Sequence, residues 1–199
     1  MGEVVVFENV TLDGVMQAPG RPDEDRRGGF THGGWAAPYF DPVMASVAGE
    51  GISQGGALLL GRRTYEDFAS FWPTAPEELP FTAVMNEFQK YVVSRTLDEP
   101  LSWSNSTLVK GDAVPAVRDL KEHSGQNLTV LGSGELARTL MQHGLVDQFI
   151  LLIHPLVLGT GLRLFPDGSP TVPLRLVDSK TTGTGVIIAT YEPQEEETG

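Results

Sequence analysis

Short apolar runs followed by turn signals divide the first two-thirds of the chain. Such runs predict strands at 3–10, 55–60, 89–94 and 128–131, and the first is too continuous for a half-exposed strand. Helical patterns at 39–50, 114–123 and 135–141, and a helix start after Gly61, alternate with these strands. Alternating strands and helices predict an α/β fold with a mostly parallel sheet.

The last third of the chain is richer in strand signals. An apolar run at 147–158 is interrupted by Pro155, which predicts a bulge or a sheet edge. Two further runs, at 174–179 and 185–191, predict an antiparallel hairpin added to one side of the sheet. We expect a single domain over residues 1–193 and a disordered acidic tail at 194–199.

A glycine turn, Gly132-Ser133-Gly134, joins the strand predicted at 128–131 to the helix that follows it. The first N–H groups of a helix lack internal partners, and the helix dipole adds positive charge there, so this geometry favours an anion. The second glycine has no Cβ, which lets a pyrophosphate approach the backbone closely. The alternative is an ordinary strand-to-helix turn without a ligand.

Two other predicted strands end in basic residues, in Gly61-Arg62-Arg63-Thr64 and in Ser94-Arg95. The carboxyl ends of parallel strands share one sheet edge, where α/β proteins bind ligands. Arginine matches phosphate oxygens well, so three strand ends around one phosphorylated cofactor are expected. The alternative is that these arginines are solvated or pair with Glu66, Asp67 or Asp98.

The net charge of −12 over 199 residues argues against nucleic acid and anionic membranes as partners. It also means that an anionic cofactor needs a local cluster of cations. The chain has no cysteine and four scattered histidines, so no metal site is expected. Neither a secretory signal nor an 18-residue apolar run is recognisable, which makes the cytoplasm the expected compartment.

The motifs in this order resemble the dihydrofolate reductase-like superfamily. The resemblance includes Thr11-Leu12-Asp13-Gly14 after the first strand and the stretch from His154-Pro155 to Phe165-Pro166. It is closest to the branch containing the riboflavin-biosynthesis reductase (the RibD C-terminal domain), in particular its stand-alone bacterial members. The resemblance implies a three-layer fold with helices on both faces of the sheet. It also implies an NADPH-dependent reductase that transfers hydride to a small heterocyclic or carbonyl substrate. A pyrimidine- or pterin-like molecule would fit, as in a 5-amino-6-(5-phosphoribosylamino)uracil reductase.

The resemblance also implies roles for particular residues. The turn at Gly61 would hold the adenosine side of NADPH, Ser94 and Arg95 its 2′-phosphate, and the turn at Gly132 its pyrophosphate. The loop from Val15 would close over the nicotinamide, whose carboxamide would pair near Asn9. The implied cofactor residues are Asn9, Val15, Gly61, Arg62, Arg63, Thr64, Ser94, Arg95, Leu131, Gly132, Ser133, Gly134, Glu135 and Leu136.

The substrate is expected between the loop carrying Trp35, the helix starting near Asp41 and the loop containing Thr160, with Asn9 also in contact. Asp41 is the candidate catalytic carboxylate, although a helix N-cap is a sufficient structural reason for it. Ile153 precedes His154 where dihydrofolate reductases carry a threonine, which argues against folate reduction. His154 itself is also consistent with a core histidine. The long loop at 17–38 would be a lid or pocket wall, the alternative being disorder.

Three other interpretations stay open. The chain could be a non-catalytic nucleotide-binding protein that retains the fold. It could also be a flavin- or folate-binding module. Its apolar stretch at 150–158 could form a homodimer interface or simply be an internal strand.

Overall fold

The computed structural model describes residues 2–53, 56–79 and 81–194, and the side chains of residues 50–53 lie outside the description. Gly55, at the predicted start of the second strand, and residues 195–199 of the expected tail also lie outside the described residues. The single-domain organisation stays a prediction.

The described strands and helices follow the predicted order, except that a short helix at Thr82–Glu87 and a short strand at Ser106–Lys110 lie between the predicted elements. The strands are β1 (Val4–Thr11), β2 (Ala57–Gly61), β3 (Lys90–Ser94), β4 (Ser106–Lys110), β5 (Leu128–Leu131), β6 (Gln148–His154), β7 (Leu174–Thr181) and β8 (Ile187–Pro193). The helices are α1 (Pro42–Ser53), α2 (Arg62–Phe71), α3 (Thr82–Glu87), α4 (Ala113–His123) and α5 (Gly134–Gln142). Three short 3-10 turns lie at Arg27–Gly29, Ala37–Tyr39 and Trp72–Thr74.

Within the described residues, the strands form one eight-stranded sheet in the order β4-β3-β2-β5-β1-β6-β8-β7. The pairs from β4 to β6 are parallel, whereas β6–β8 and β8–β7 are antiparallel. The predicted mostly parallel sheet with antiparallel C-terminal strands is therefore confirmed. The apolar β1 strand lies inside the parallel part, where both of its faces are covered.

Helices cover both faces of the sheet, as the three-layer prediction requires. On one face α4 and α5 pack against fully buried strand residues such as Val6, Leu59 and Leu128. On the other face α1 packs against Phe7, while α2 and α3 pack against Leu58. The side chains of neighbouring strand residues point to opposite faces, which explains this division.

The prediction of a bulge or sheet edge at Pro155 is wrong. Strand β6 ends at His154, one residue earlier, and lies between β1 and β8 inside the sheet. Proline has no N–H to donate to a ladder, so it ends the strand instead. The apolar stretch from residue 150 is thus explained by an internal strand, and the homodimer stays a prediction.

The long loop at 17–38 folds back onto the sheet end. The Trp35 indole N–H donates to the carbonyl of Gln17 at 2.7 Å, and the ring is buried beside Ala18 and Phe30. This packing argues against a disordered segment, and the role of the loop as a lid or pocket wall stays a prediction. None of the described helices has both the length and the apolar character needed to cross a membrane.

Candidate functional site

The carboxyl ends of β2, β3 and β5 meet in one cleft with a volume of about 510 Å³. These strands are parallel neighbours in the sheet, so their ends lie at the same edge. The structure brings together all but three of the residues expected to bind the cofactor. Those lining the cleft are Gly61, Arg62, Arg63, Thr64, Ser94, Arg95, Gly132, Ser133, Gly134, Glu135 and Leu136.

Hydroxyl groups tie the turns of this cleft to one another. The Ser133 hydroxyl accepts a hydrogen bond from the Gly61 N–H at 2.9 Å and donates to the Leu131 carbonyl at 3.2 Å. The Thr64 hydroxyl donates to the Gly132 carbonyl at 3.1 Å. These two side chains therefore fix the positions of the turns after β2 and β5, whatever else they contact.

The turn after β5 leaves backbone donors free at the start of α5. Gly132 adopts a φ of +63°, a left-handed conformation that glycine adopts without strain. Within the described part of the chain, the N–H groups of Gly134, Glu135 and Leu136 donate no hydrogen bond. Three free donors at the positive end of a helix dipole are the arrangement that favours an anion, and the binding of pyrophosphate here stays a prediction.

Gly134 has a packing role that the sequence did not predict. A Cβ at this position would lie 2.3 Å from the Met16 sulfur. Met16 is buried in the core cluster that includes residues of α4 and α5. The missing Cβ therefore makes room for Met16, and a close approach of pyrophosphate is not needed to explain this glycine.

Four arginines line the cleft together with two acidic residues, Asp112 and Glu135. The lining thus carries a net charge of about +2, from four positive and two negative groups, on a chain of −12. This is the local cation cluster that an anionic cofactor requires on an acidic protein.

The arginines of the cleft differ in how far they are already neutralised. Arg62 pairs with Glu66 at 3.0 Å, Arg63 lies 3.9 Å from Glu135, and Arg27 pairs with Asp25. Of the alternative partners named from the sequence, Glu66 is found on an arginine of the cleft, whereas Asp67 and Asp98 pair elsewhere. The Arg95 side chain is exposed and forms no ion pair or hydrogen bond with any described residue.

Sequence reasoning missed other parts of the lining. A fourth strand end contributes Gly111 and Asp112, in a strand–turn–helix pattern like those at Gly61 and Gly132. The missed residues are Arg27, Val93, Thr96, Gly111, Asp112, Ala113 and Thr139. The turn at Gly111 was recognisable in the sequence, whereas nothing local to Arg27 indicates that its loop reaches the cleft.

A second cavity, a groove of about 280 Å³, lies on the face of the sheet that α1, α2 and α3 cover, whereas the cleft lies at the carboxyl edge of the sheet. It runs between α1 on one side and α2 and α3 on the other, and apolar side chains form most of its wall. Asn9 and Leu131, two residues expected at the cofactor, line this groove instead of the cleft. Leu131 is followed directly by Gly132 of the cleft, so the two cavities adjoin at the end of β5.

A buried histidine holds the side chain of Asn9. The Nε2 of His154 lies 3.0 Å from the Asn9 side-chain oxygen. The rings of Trp35 and Tyr39 pack edge-on against the imidazole, with centroids 5.1 and 5.5 Å away. Burial lowers the pKa of His154 to about 4, so the imidazole is neutral near pH 7 and donates from Nε2. Trp35 thus supports the groove through His154 and does not line it.

The remaining predicted residues line neither cavity. Val15 is fully buried, and its backbone pairs with Thr11. Thr160 is exposed on its loop. Both carboxylate oxygens of Asp41 are already used, one by the N–H of Val43 and one by the N–H of Gly183. The proposed contacts of these residues with a substrate or cofactor stay predictions.

Another buried acid lies close to the cleft. Glu8 is 3% exposed on β1, and burial raises the pKa of its carboxyl well above the usual range, opposed in part by the backbone of Gly132. One of its carboxyl oxygens has no hydrogen-bond partner among the described residues. The described part of the chain contains no cluster of three or more histidine or acidic side chains placed to hold a metal.

Comparison with known proteins shows matches over almost the whole chain. Residues 3–188 match the family model described as the RibD C-terminal domain. The uncharacterized protein YyaP of Bacillus subtilis is 29% identical over 186 residues, which cover 92% of this chain and 90% of that protein. The uncharacterized protein YwjB of the same organism is 30% identical over 133 residues, covering 65% and 69%.

Solved structures share the fold at low sequence identity. A putative riboflavin biosynthesis protein from Shewanella superposes with a TM-score of 0.68 at 20% identity, covering 97% of this chain and 99% of that one. A pyrimidine reductase-like protein from Corynebacterium diphtheriae gives a TM-score of 0.66 at 14% identity, covering 98% and 93%. On the match of residues 3–188, this chain belongs to the RibD C-terminal domain family.

Proposed function

We propose that this protein is an NADPH-dependent reductase. The observation that carries the proposal is the meeting of the ends of β2, β3, β4 and β5 in one cleft, with four arginines and three free N–H groups around it. Membership of the RibD C-terminal domain family and the likeness to a pyrimidine reductase-like protein support a reductase as the general class.

The residues of the cleft fit the parts of this cofactor. The free N–H groups of Gly134, Glu135 and Leu136 would bind the pyrophosphate. Arg95, without a partner among the described residues, would bind the 2′-phosphate beside the Ser94 hydroxyl, and Arg62 and Arg63 would flank the adenosine. When bound, NADPH supplies a hydride from C4 of its nicotinamide.

The chain itself would contribute position and the exclusion of water. Asn9 lies beside the point where cleft and groove adjoin, and its amide is held by His154. A hydride acceptor in the groove would therefore face a fixed polar group at one end and apolar walls elsewhere. The substrate would be a small heterocyclic or carbonyl compound.

Cofactor titration tests the proposal. We expect NADPH to bind with saturable enhancement of its fluorescence, and to be oxidised when pterins, aminouracils or quinones are added. Absence of binding at about millimolar NADPH would refute the proposal, since a dissociation constant of about 1 mM corresponds to a binding free energy of only about 4 kcal/mol. Tight binding without turnover of any of these compounds would instead favour a non-catalytic nucleotide-binding protein.

A further inference from the structure

The groove between α1 and the α2–α3 pair is apolar along its centre. Its middle is formed by side chains such as Phe7, Met44 and Ile150, with Phe68 and Met85 on the far wall. Apart from Trp72, its polar side chains lie toward its two ends: Asn9 at the carboxyl end of β1, and Glu3, Asn127, Thr129 and Gln148 toward the amino ends of the strands. A ligand in this groove would bury most of its surface against hydrocarbon.

No lysine or arginine is among the described residues that line the groove, and its single charged side chain is Glu3, an acid. A phosphate transferred from water to such a site would lose its hydration and gain no cation in return. The basic residues of this region line the cleft at the carboxyl ends of the strands instead. The groove therefore disfavours a phosphorylated substrate.

Two hydrogen-bond donors on the groove lining have no partner among the described residues. The Asn9 side-chain oxygen accepts from His154, which turns the amide NH₂ away from the imidazole and leaves it with no partner among the described residues. Trp72, also on the lining, has a buried indole N–H without a described partner. Unpaired donors on an apolar wall match a ligand that carries acceptor oxygens and no charge.

We propose that the groove binds a neutral, mainly apolar carbonyl compound, with a carbonyl oxygen on the Asn9 amide. The proposal rests on the proposed NADPH-dependent reductase and names its substrate class. For a quinone, the C4–H bond of the nicotinamide breaks, and its hydrogen and electron pair pass to the quinone. One proton from solvent completes the hydroquinone, while NADPH becomes NADP⁺. The quinone is the oxidant, so atoms and electrons balance.

Binding of menadione, a neutral naphthoquinone, tests the groove. Its dissociation constant is measured by quenching of tryptophan fluorescence, with NADP⁺ present. In Ala45→Phe a ring fills the groove from α1, and we expect affinity to fall at least about tenfold. Ala83→Phe makes the same change at an exposed site on α3 that does not line the groove, so affinity should change by less than about twofold.

A second variant isolates the carbonyl contact. Asn9→Leu keeps the size of the side chain and removes the amide, so we expect menadione to bind about five- to tenfold more weakly. Naphthalene, which has no carbonyl, should bind this variant as well as it binds the unchanged protein. Equal loss for both ligands would mean that the groove has changed shape, and would overturn the role of Asn9.

Two further outcomes separate this inference from the proposed function. Faster reduction of 5-amino-6-(5-phosphoribosylamino)uracil than of menadione would overturn the inference and leave the NADPH-dependent reductase standing. So would menadione binding that neither Ala45→Phe nor Asn9→Leu weakens. Failure of NADPH to bind would refute the proposed function, whereas menadione binding that both variants weaken would still support the groove as the carbonyl site.

Discussion

Arg95 offers the sharpest test of how the cleft selects its cofactor. It is the exposed arginine of the lining that lacks a described partner, whereas Arg62 is paired with Glu66 at 3.0 Å. We therefore expect Arg95→Gln to weaken NADPH binding and to leave NADH binding nearly unchanged. NADH lacks the 2′-phosphate, and the rest of the two cofactors is the same.

The size of the effect follows from the exposure of this side chain. A hydrogen bond to a charged group contributes about 1.5–3 kcal/mol, and solvent screening at an exposed site favours the lower end. A loss of about 1.5 kcal/mol corresponds to roughly a tenfold higher dissociation constant. The difference between variant and unchanged protein should shrink in about 1 M salt, where the Debye length is near 3 Å.

The assay is fluorescence titration of NADPH and NADH against both proteins. Arg118→Gln serves as the matched control, because Arg118 is exposed on α4 and does not line the cleft. An Arg95→Gln protein that binds NADPH no more weakly than the Arg118→Gln protein would refute the assignment. Equal loss for NADPH and NADH would place Arg95 on a part that the two cofactors share.

Three further expectations concern stability, each measured by denaturant unfolding. Ser133→Ala leaves the Gly61 N–H without its 2.9 Å partner, and should lower the unfolding free energy by about 1–2 kcal/mol. Gly134→Ala places a Cβ 2.3 Å from the Met16 sulfur and should cost about 1–3 kcal/mol, but less in a Met16→Ala background, where the obstacle is gone. In the unfolded chain His154 becomes protonated below about pH 6.5, whereas in the folded protein it stays neutral down to about pH 4. Stability should therefore fall over that window by up to about 3 kcal/mol.

Each expectation has a contrary result. Ser169→Ala removes a hydroxyl from a surface loop and serves as the control for Ser133→Ala. If both variants lowered the unfolding free energy equally, the bond between Ser133 and Gly61 would contribute no more than an ordinary loop hydroxyl. Strict additivity of the changes at Gly134 and Met16 would contradict their contact. A His154→Gln protein that keeps the full acid sensitivity would assign it to other groups. Glu8 acts against the loss of stability that His154 causes at low pH. Its raised pKa means that the folded protein binds the Glu8 proton more tightly than the unfolded chain does, so this contribution to stability grows as pH falls and is lost as pH rises.

Short-range patterns were sufficient for much of the fold. The strand at Leu128–Leu131 was predicted at its observed bounds, and β3 to within one residue. Parallel strands buried on both faces are continuous apolar runs that turn residues end, so the signal lies in adjacent residues. Helix α3 was not predicted, because Thr82–Glu87 is only six residues long and follows a proline-rich loop.

The candidate site also has a part that could be predicted from the sequence and a part that could not. The turns at Gly61, Ser94 and Gly132 could be grouped from the sequence, because the carboxyl ends of parallel strands necessarily share an edge. The role of Asp41 could be predicted only in part from the sequence. Its N-cap bond to Val43 is local, whereas its bond to Gly183 joins residues 142 positions apart.

The sequence by itself determined the order of most strands and helices, the family, and the glycine and arginine turns that line the cleft. Each of these depends on neighbouring residues or on a rule that holds for every parallel sheet. Only the tertiary structure decided that Met16 fills the space beside Gly134 and that His154 holds Asn9 across 145 positions of chain. Such contacts depend on how distant segments pack, and no local pattern of residues records which side chains will meet.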